Sequence, residues 1–308
     1  MTAAVILQGL RKTYANGTEA LKGIDLEVAA GDFFALLGPN GAGKSTAIGI
    51  LASLVCKSAG RVVVFGRDQD RDPQGVKACI GLVPQDFNFN QWEPVEEIVI
   101  NQAGYYGIRR RPAREKARRV LQALDLWDRR RQQARSLSGG MKRRLMIARA
   151  LVHEPPLMIL DEPTAGVDIE IRRSMWAFME EINAAGTTII LTTHYLEEAE
   201  NLCRSIAIID AGRIVENSSM EALLRRLHRQ SFLLTLAAPL ERLPEGAPVT
   251  LRLKDPTTLE AVLEQEQSLN ELFRWLDARG LVVVSMRNTQ NRLEQFFLDR
   301  VARREATP

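Results

Sequence analysis

The chain has 308 residues, of which 45% are hydrophobic and 26% are charged, a composition typical of a soluble globular protein with one large domain or two modest ones. Its net charge of +3 gives no reason to expect a nucleic-acid partner. The cysteines form no CxxC pair, which disfavours disulfides and zinc and predicts buried thiols in a reducing compartment: Cys56, Cys79 and Cys203.

Two kinds of membrane or export signal are not found in the sequence. No apolar run approaches the roughly 18–20 residues that a membrane-spanning helix needs. Residues 1–10 contain no basic segment followed by an apolar stretch, so we expect no signal peptide. If the protein works at a membrane, we expect a separate chain to supply the membrane-spanning part.

Short apolar runs alternate with longer amphipathic segments, a pattern that predicts an α/β fold. Continuous apolar or β-branched runs predict strands, the last two of them central and parallel: 33–37, 62–65, 157–160 and 188–192. A late hairpin is predicted from 206–210 and 213–215, which flank an Ala-Gly pair. Amphipathic spacing predicts helices over 113–124, 141–152 and 171–184.

The character of the sequence changes after about residue 229. Apolar residues alternate over 232–236 and 249–253, on either side of a stretch rich in proline and glycine. A helix over 269–279, a strand over 281–285 and a closing helix over 291–303 follow. We therefore predict a first domain over residues 1–228 and a small α+β accessory domain over residues 229–308.

The phosphate loop, residues 38–46, follows one predicted strand and matches the P-loop pattern. Its glycines let successive N–H groups point into one concavity, at the positive end of the next helix. Lys44 is predicted to hold the β- and γ-phosphates, and the Ser45 hydroxyl to ligate Mg²⁺. The predicted phosphate site comprises Gly38, Pro39, Asn40, Gly41, Ala42, Gly43, Lys44, Ser45 and Thr46.

The predicted strand over 157–160 runs into two carboxylates. Asp161, at the end of a strand, can orient Mg²⁺. The next residue, Glu162, can polarise an attacking water as a general base. A strand followed by Asp-Glu is a weak signal alone, but after a P-loop it indicates a nucleoside triphosphate hydrolase.

The signature segment, Leu-Ser-Gly-Gly-Met at residues 137–141, resembles the signature motif of the ABC ATPases. The exposed N–H groups of a helix N-terminus suit an anion. The resemblance implies that Ser138, Gly139 and Gly140 cap the γ-phosphate of ATP held by a second copy of the chain. The family pattern commonly ends in glutamine, where this chain has Met141, but the anion-binding part is unchanged.

Four further residues lie where the ABC ATPase pattern places them. Tyr14 resembles the aromatic residue that stacks on adenine. Gln85 resembles the Q-loop glutamine, which contacts Mg²⁺ and the attacking water. Asp168 closes residues 165–168, which resemble the D-loop that crosses the dimer interface, and His194 resembles the switch histidine that contacts the γ-phosphate. The resemblance thus implies Glu162, His194, Lys44 and Gln85 as catalytic residues, and Ser45, Gln85 and Asp161 as the Mg²⁺ site.

The resemblance covers about residues 5–218 and implies the ABC ATPase fold. That fold is a P-loop NTPase with a mixed sheet core, an antiparallel β subdomain and a helical subdomain, here at about residues 87–156, with the C-terminal α+β appendage added. Residues 194–200, together with an extension containing Asn-Arg-Leu-Glu-Gln-Phe-Phe at 291–297, resemble the ATPase subunits of ABC-2-type exporters of antibiotics, polysaccharides or lipids.

Membership of that branch implies a separate integral-membrane permease subunit. It also implies an ATP-sandwiched homodimer and a peripheral location on the cytoplasmic face of the inner membrane. Residues 87–107 are rich in aromatic side chains and lie where the family receives the permease. The basic run that follows, from 109 to 119, is better explained as a solvated helix face than as a lipid contact.

Other functions stay open at this point. A ribosome-associated ABC ATPase usually has two ATPase domains in one chain, whereas this sequence has one. A DNA-repair member inserts a long coiled coil, whereas here about ninety residues without heptads separate the phosphate loop from the signature segment. A nucleotide-gated regulator without hydrolysis is disfavoured by Glu162 and His194. The other histidines, His153 and His228, are predicted to be surface or packing residues.

Overall fold

A computed structural model of the chain describes residues 2–226, 230–264 and 267–288. The chain divides into two compact units after Met220. The predicted domain boundary, between residues 228 and 229, falls in a segment outside the described residues and stays a prediction. No helix in the described ranges is long and apolar enough to cross a membrane.

The first unit combines strands and helices in alternation, as predicted. Its strands in chain order are β1 (Ala3–Thr13), β2 (Glu19–Ala29), β3 (Phe33–Leu37), β4 (Ala59–Val64), β5 (Arg67–Asp68), β6 (Ile80–Val83), β7 (Leu157–Asp161), β8 (Thr188–Thr192), β9 (Ser205–Asp210) and β10 (Arg213–Ser219). Its helices are α1 (Lys44–Leu51), α2 (Pro73–Ala78), α3 (Val95–Tyr105), α4 (Arg110–Ala123), α5 (Gly139–Leu151), α6 (Ile169–Ala184) and α7 (Leu196–Leu202).

A six-stranded sheet with the order β10-β9-β3-β8-β7-β6 forms the centre of this unit. Neighbours from β9 to β6 are parallel, whereas β10 returns antiparallel to β9, which confirms the predicted hairpin. Every residue of β3 and β8 is buried, because helices and a second sheet cover a parallel sheet on both faces. The carboxyl ends of β3, β8, β7 and β6 therefore meet at one edge.

A second sheet, antiparallel with the order β2-β1-β4-β5, shares a core with the first. Leu7 and Leu21 of this sheet pack in the same cluster as Ile48 of α1 and Ile159 of β7. Each such fully buried aliphatic side chain contributes about 1.5–3 kcal/mol relative to an exposed one. This burial fixes the start of α1, and with it the phosphate loop, against the central sheet.

Three predicted helices begin two or three residues earlier than the sequence analysis placed them. Ser138 and Asp168 are the N-caps of α5 and α6, so these helices begin at Gly139 and Ile169 rather than at 141 and 171. The helix predicted from 113 begins at Arg110. Pro112 is tolerated in its first turn, because the N–H groups of a first turn make no intrahelical hydrogen bond and proline lacks only that group.

The prediction of buried thiols is wrong for one cysteine. Cys203 is buried and Cys79 is half-buried, but Cys56 is exposed. Cys56 lies in the connection between α1 and β4, where the backbone has no regular structure and the side chain has no core to enter. All three thiols are free, as predicted.

A helix, α8 (Met220–Arg226), begins at the boundary of the second unit, whose described part adds four antiparallel strands and one further helix. The elements are β11 (Gln230–Leu236), β12 (Thr250–Asp255), β13 (Thr258–Leu263), α9 (Leu269–Asp277) and β14 (Val283–Asn288). Leu234, Leu259, Leu272 and Leu276 form its core, with α9 against one sheet face. The sequence analysis missed β13 and began the last strand two residues early, and its closing helix at 291–303 lies outside the described residues.

Candidate functional site

The phosphate loop joins β3 to α1 around the amine of its own lysine. Lys44 Nζ donates hydrogen bonds to the carbonyl oxygens of Gly38 at 2.7 Å and Pro39 at 3.1 Å. Gly43, the N-cap of α1, has a left-handed φ of 113°, and a Cβ there would lie 2.8 Å from Ala20 O. Glycine is therefore required at this position, both by backbone angle and by space.

Lys44 is largely buried, whereas the hydroxyl-bearing residue after it is exposed. Burial lowers the pKa of Lys44, and the negative charges of Glu162 and Asp161 oppose that shift. The lysine therefore lies within electrostatic reach of both carboxylates. Ser45, in the first turn of α1, is exposed to solvent.

Tyr14, in the turn between β1 and β2, lies beside the phosphate loop. Its hydroxyl is 3.2 Å from Thr46 Oγ1, and Lys12 Nζ lies 4.9 Å from the centroid of its ring. The ring is 37% exposed. The predicted adenine-stacking residue is thus next to the loop, with an accessible aromatic surface.

The predicted carboxylates stand at the end of β7 and are held by β8. Thr192 Oγ1 donates to Asp161 Oδ1 at 2.5 Å, and Glu162 N donates to Thr192 O at 3.0 Å. Asp161 and Thr192 are register partners in the parallel pair β7–β8. Glu162 has a left-handed φ of 52°, which costs on the order of 1 kcal/mol or more for a residue with a side chain.

The Glu162 carboxylate is contacted from two sides by side chains that sequence analysis selected. Gln85 Nε2 donates to Glu162 Oε2 at 3.0 Å. His194 Nε2 pairs with Glu162 Oε1. Glu162 itself is only 11% exposed, whereas His194 is 47% exposed. The structure thus brings Gln85, Glu162 and His194 into direct contact at the sheet edge.

The same edge offers the oxygen ligands that Mg²⁺ prefers: the Ser45 hydroxyl, the Asp161 carboxylate and the Gln85 amide oxygen. The described residues contain no group of three His, Cys, Asp or Glu side chains that could enclose a metal ion. Mg²⁺ usually binds through one or two protein ligands together with substrate phosphates. The residues present therefore fit Mg²⁺ that arrives with a nucleotide.

The signature segment forms the N-terminus of α5. Ser138 Oγ accepts a hydrogen bond from Met141 N at 3.3 Å, and a Cβ on Gly139 would meet no atom within 4 Å. A Cβ on Gly140 would lie 2.7 Å from Ile171 Cδ1 of α6. The segment is thus packed on one side, through Gly140, and open on the other, at Gly139.

Asp168 lies next to this contact. Its Oδ1 accepts from Ile171 N at 2.9 Å, so Ile171 joins the signature segment to the predicted D-loop. In the described part of the chain, no hydrogen bond or ion pair joins residues 138–140 to the phosphate loop. The structure therefore assembles the phosphate loop, the carboxylates, Gln85 and His194, and leaves the signature segment and Asp168 outside that cluster.

Two supporting residues were not predicted. Thr192 orients Asp161, and its signal is a polar residue at the end of an apolar strand that neighbours the strand of the carboxylates. Glu198 is fully buried and accepts hydrogen bonds from Thr164 Oγ1 at 3.0 Å and Trp176 Nε1 at 2.9 Å. No sequence signal separates it from its neighbours Glu197 and Glu200.

Comparison with known proteins agrees with these motifs. The family model described as ABC transporter matches residues 21–165. The daunorubicin/doxorubicin resistance ATP-binding protein DrrA of Streptomyces peucetius is 36% identical over 304 residues, which are 96% of this chain and 92% of that protein. The Nod factor export ATP-binding protein I of Cupriavidus metallidurans is 38% identical over 216 residues, 69% of this chain and 70% of that protein.

Among solved structures, a dimeric ATP-binding cassette in a post-hydrolysis state, bound to ADP and phosphate, is similar to this chain. It has a TM-score of 0.64 and 26% sequence identity, and the match covers 70% of this chain and 98% of that one. The expected ABC ATPase fold is thereby confirmed. The chain belongs to the ABC transporter family and is an ATP-binding, ATP-hydrolysing subunit of its ABC-2-type exporter branch.

Proposed function

We propose that this subunit powers an exporter as a homodimer, in which each ATP lies between the phosphate loop of one copy and the signature segment of the other. The observation that carries the proposal is the contact of Glu162 with Gln85 and His194, at the sheet edge that also presents Lys44. A carboxylate oriented by two hydrogen-bonding side chains beside a phosphate-binding lysine suits activation of a water against a γ-phosphate.

Binding of ATP uses the phosphate loop and Tyr14. The Lys44 amine, now bonded to two loop carbonyls, turns its charge to the β- and γ-phosphates, while the N–H groups of residues 38–46 bind the phosphate oxygens. The exposed ring of Tyr14 stacks on adenine. Ser45, Asp161 and Gln85 would hold Mg²⁺, and the ion would neutralise charge on the phosphate oxygens.

In the hydrolytic step, Glu162 takes a proton from the attacking water. The water oxygen forms a bond to the γ-phosphorus as the bond to the bridging oxygen breaks, which gives ADP and phosphate. Gln85 fixes one carboxylate oxygen of Glu162 and orients the water, and His194 moves to the γ-phosphate. Lys44 and His194 stabilise the negative charge that develops.

The second half of each site comes from the partner copy. Gly139 and Ser138 are exposed at the N-terminus of α5, and no atom of the chain lies where a Gly139 side chain would be. Open space and free N–H groups suit a phosphate supplied from outside the chain. The dimeric state of the similar cassette supports this arrangement, in which Asp168 lies at the dimer interface.

Coupling to transport requires a surface for the separate permease chain, and residues 87–107 supply exposed aromatic side chains for it. Phe87, Trp92 and Tyr105 are 37%, 64% and 86% exposed, whereas Tyr106 is half-buried against His153. Large exposed aromatics are typical of protein interfaces. We place the subunit at the cytoplasmic face of the membrane, bound to the permease through this surface.

The first prediction tests the general base by Glu162→Gln. Glutamine keeps the shape and the hydrogen-bonding reach but accepts no proton, so ATP binding should persist while turnover falls by about a hundredfold or more. ATPase assays and titration calorimetry measure the two quantities, and gel filtration with ATP should reveal an accumulated dimer.

The control is Glu197→Gln, which changes an exposed carboxylate three residues after His194 and should leave turnover unchanged. Near-normal turnover in Glu162→Gln would refute Glu162 as the base. A monomer at all ATP concentrations would instead contradict the sandwiched dimer.

A further inference from the structure

Three basic side chains of α5 contact the Q-loop segment, residues 84–91, which carries Gln85. Arg143 Nη1 donates to Gln85 O at 2.7 Å and to Pro84 O at 3.2 Å. Arg149 Nη1 donates to Asn88 O at 3.0 Å, and Lys142 Nζ lies 3.4 Å from Gln91 Oε1. The helix that begins with the signature segment therefore holds the backbone around Gln85 through its side chains.

Arg143 is the member of this set that reaches Gln85, and its burial is unusual for an arginine. It is 5% exposed, and its guanidinium lies 5.0 Å from the centroid of the Phe87 ring. Its Nε is buried and has no hydrogen-bond partner within the described residues. Burial lowers the pKa of Arg143, against the charges of Asp86 and Glu162.

A guanidinium buried with one unsatisfied nitrogen is a poor stabiliser, because desolvation of the charge offsets much of what its hydrogen bonds gain. An apolar side chain of similar length would fill the same space without that cost. The distinctive contribution of Arg143 is therefore directional: two hydrogen bonds fix the carbonyl oxygens of the two peptide units that flank the Gln85 Cα.

We propose that Arg143 is a positioning residue for Gln85, and that through it the signature helix α5 sets the hydrolytic geometry of its own chain. The Gln85 amide reaches Glu162 Oε2 at 3.0 Å from a segment without regular secondary structure. Rotation of the Gln85 peptide would carry that amide out of hydrogen-bonding range. This inference rests on the proposed roles of Gln85 and Glu162.

Arg143 thus links, within one chain, the signature segment to Gln85, and in the proposed dimer these two belong to different ATP sites. Arg143 lies three residues after Gly140, so a displacement of the N-terminus of α5 by a bound phosphate moves the anchor of Gln85 as well. Because a misplacement of about 1 Å can cost about a hundredfold in rate, a small shift suffices to couple phosphate capture to hydrolysis.

The test compares Arg143→Met with Arg143→Lys in the full-length chain. Methionine fills the space but donates no hydrogen bond, so kcat should fall by at least about tenfold while KM for ATP changes less than about threefold. Lysine keeps one donor and the charge, and should restore part of the lost kcat. The matched control is Arg144→Met, on the same helix. It loses hydrogen bonds to Leu124 O, Asp125 and Ser174, none of which belongs to the Q-loop segment, and should keep kcat.

A double-mutant cycle with Gln85→Ala separates positioning from a general structural effect. If Arg143 acts through Gln85, Arg143→Met should cost less than about twofold in kcat once Gln85 is alanine. An unchanged kcat in Arg143→Met, or an equal loss in both backgrounds, overturns the inference. If a thermal melt shows that Arg143→Met folds poorly, Arg143→Lys replaces it. Its loss of kcat is then compared between the normal chain and the Gln85→Ala background, by the same criterion. Lack of ATPase activity in the unsubstituted chain would count against the proposed function instead.

Discussion

Glu198 is a buried carboxylate outside the contact cluster of Gln85, Glu162 and His194. It is fully buried, and it receives hydrogen bonds from Thr164, two residues after Glu162, and from Trp176 of α6. Glu198 itself lies on α7, directly after the segment that carries His194. Burial raises the pKa of Glu198, and hydrogen bonds from Thr193, Trp176 and Thr164 oppose that shift. One side chain thus joins the chain segments that follow the proposed base and the proposed switch histidine.

We predict that Glu198→Ala destabilises the fold by about 3 kcal/mol, because the Thr164 hydroxyl and the Trp176 N–H lose their acceptor in a buried place. Urea unfolding at pH 7 measures the change. Glu197→Ala, one residue away and exposed, should change stability by less than about 0.5 kcal/mol. Equal effects of the two substitutions would show that the buried hydrogen bonds contribute nothing.

At the residue scale, the sequence predicted the side chains that belong to contiguous motifs and missed those that support them. Gln85, Glu162 and His194 were selected from three separate segments, and they are in contact. Arg143 and Glu198 were not selected, because a sequence does not reveal which of several neighbouring charged residues turns inward. That choice depends on helix rotation and on partners distant in the chain.

At the scale of elements, apolar periodicity located the helices and strands, but their ends depended on polar residues. The starts of α5 and α6 lie two residues before the predicted ones. In α5 the cap Ser138 and two glycines precede Met141, the first large apolar residue, and in α6 the cap Asp168 has no hydrophobic signal. Strand β13 was missed because Ala261, between Leu259 and Leu263, weakens its alternation of large apolar side chains. Caps and small residues carry little hydrophobic signal, although they decide where an element begins.

His153, just after the end of α5, contacts strand β6 and the ring of Tyr106. Its Nε2 lies 3.1 Å from Ile80 O of β6, and its ring stacks on Tyr106 with centroids 3.5 Å apart. Its Nδ1 is buried without a hydrogen-bond partner among the described residues. Burial lowers the pKa of His153 to about 4, since a second ring proton would have no acceptor.

This shift predicts a pH dependence of stability with a definite sign. A histidine whose pKa is lower in the folded than in the unfolded chain stabilises the fold above about pH 6.5, and this contribution is lost as the pH falls towards 4. The unsubstituted chain should lose at most about 2 kcal/mol at His153 between pH 7 and pH 5, because the ring is partly exposed. His153→Gln keeps a donor for Ile80 O but does not titrate.

The measurement is the free energy of unfolding at pH 7 and pH 5, for both proteins. The variant should be less stable at pH 7 yet lose less stability on acidification, since the other titrating groups are common to both proteins. Parallel pH profiles would refute the assignment of a depressed pKa to His153.

At the scale of the whole molecule, chain order and topology explain how predicted site residues from distant segments come to lie at one sheet edge. The phosphate loop, Gln85, the carboxylates and His194 each follow a different parallel strand, and parallel strands end at the same edge. The signature segment follows no strand, and so the topology does not bring it to that edge. In the proposed function, it therefore meets a phosphate loop only in a second copy.

The last prediction tests that requirement by mixing two inactive variants. Lys44→Ala removes the phosphate-binding amine, and Gly139→Asp places a negative charge where the partner's ATP should bind, at a position open to a side chain. In a mixed dimer, one site then contains both defects, whereas the other combines an intact phosphate loop with an intact signature segment. Random pairing should restore about a quarter of the normal ATPase rate if the sites work independently.

If each chain instead formed its site from its own two segments, every site in the mixture would contain one defect and no activity would return. A chain with both substitutions, mixed with Lys44→Ala, is the control, because no pairing of these two yields an intact site. Rescue in the first mixture but not in the second would establish that the two segments act across the dimer. It would also explain why Gly139 is open in the isolated chain, since its phosphate is held by another molecule.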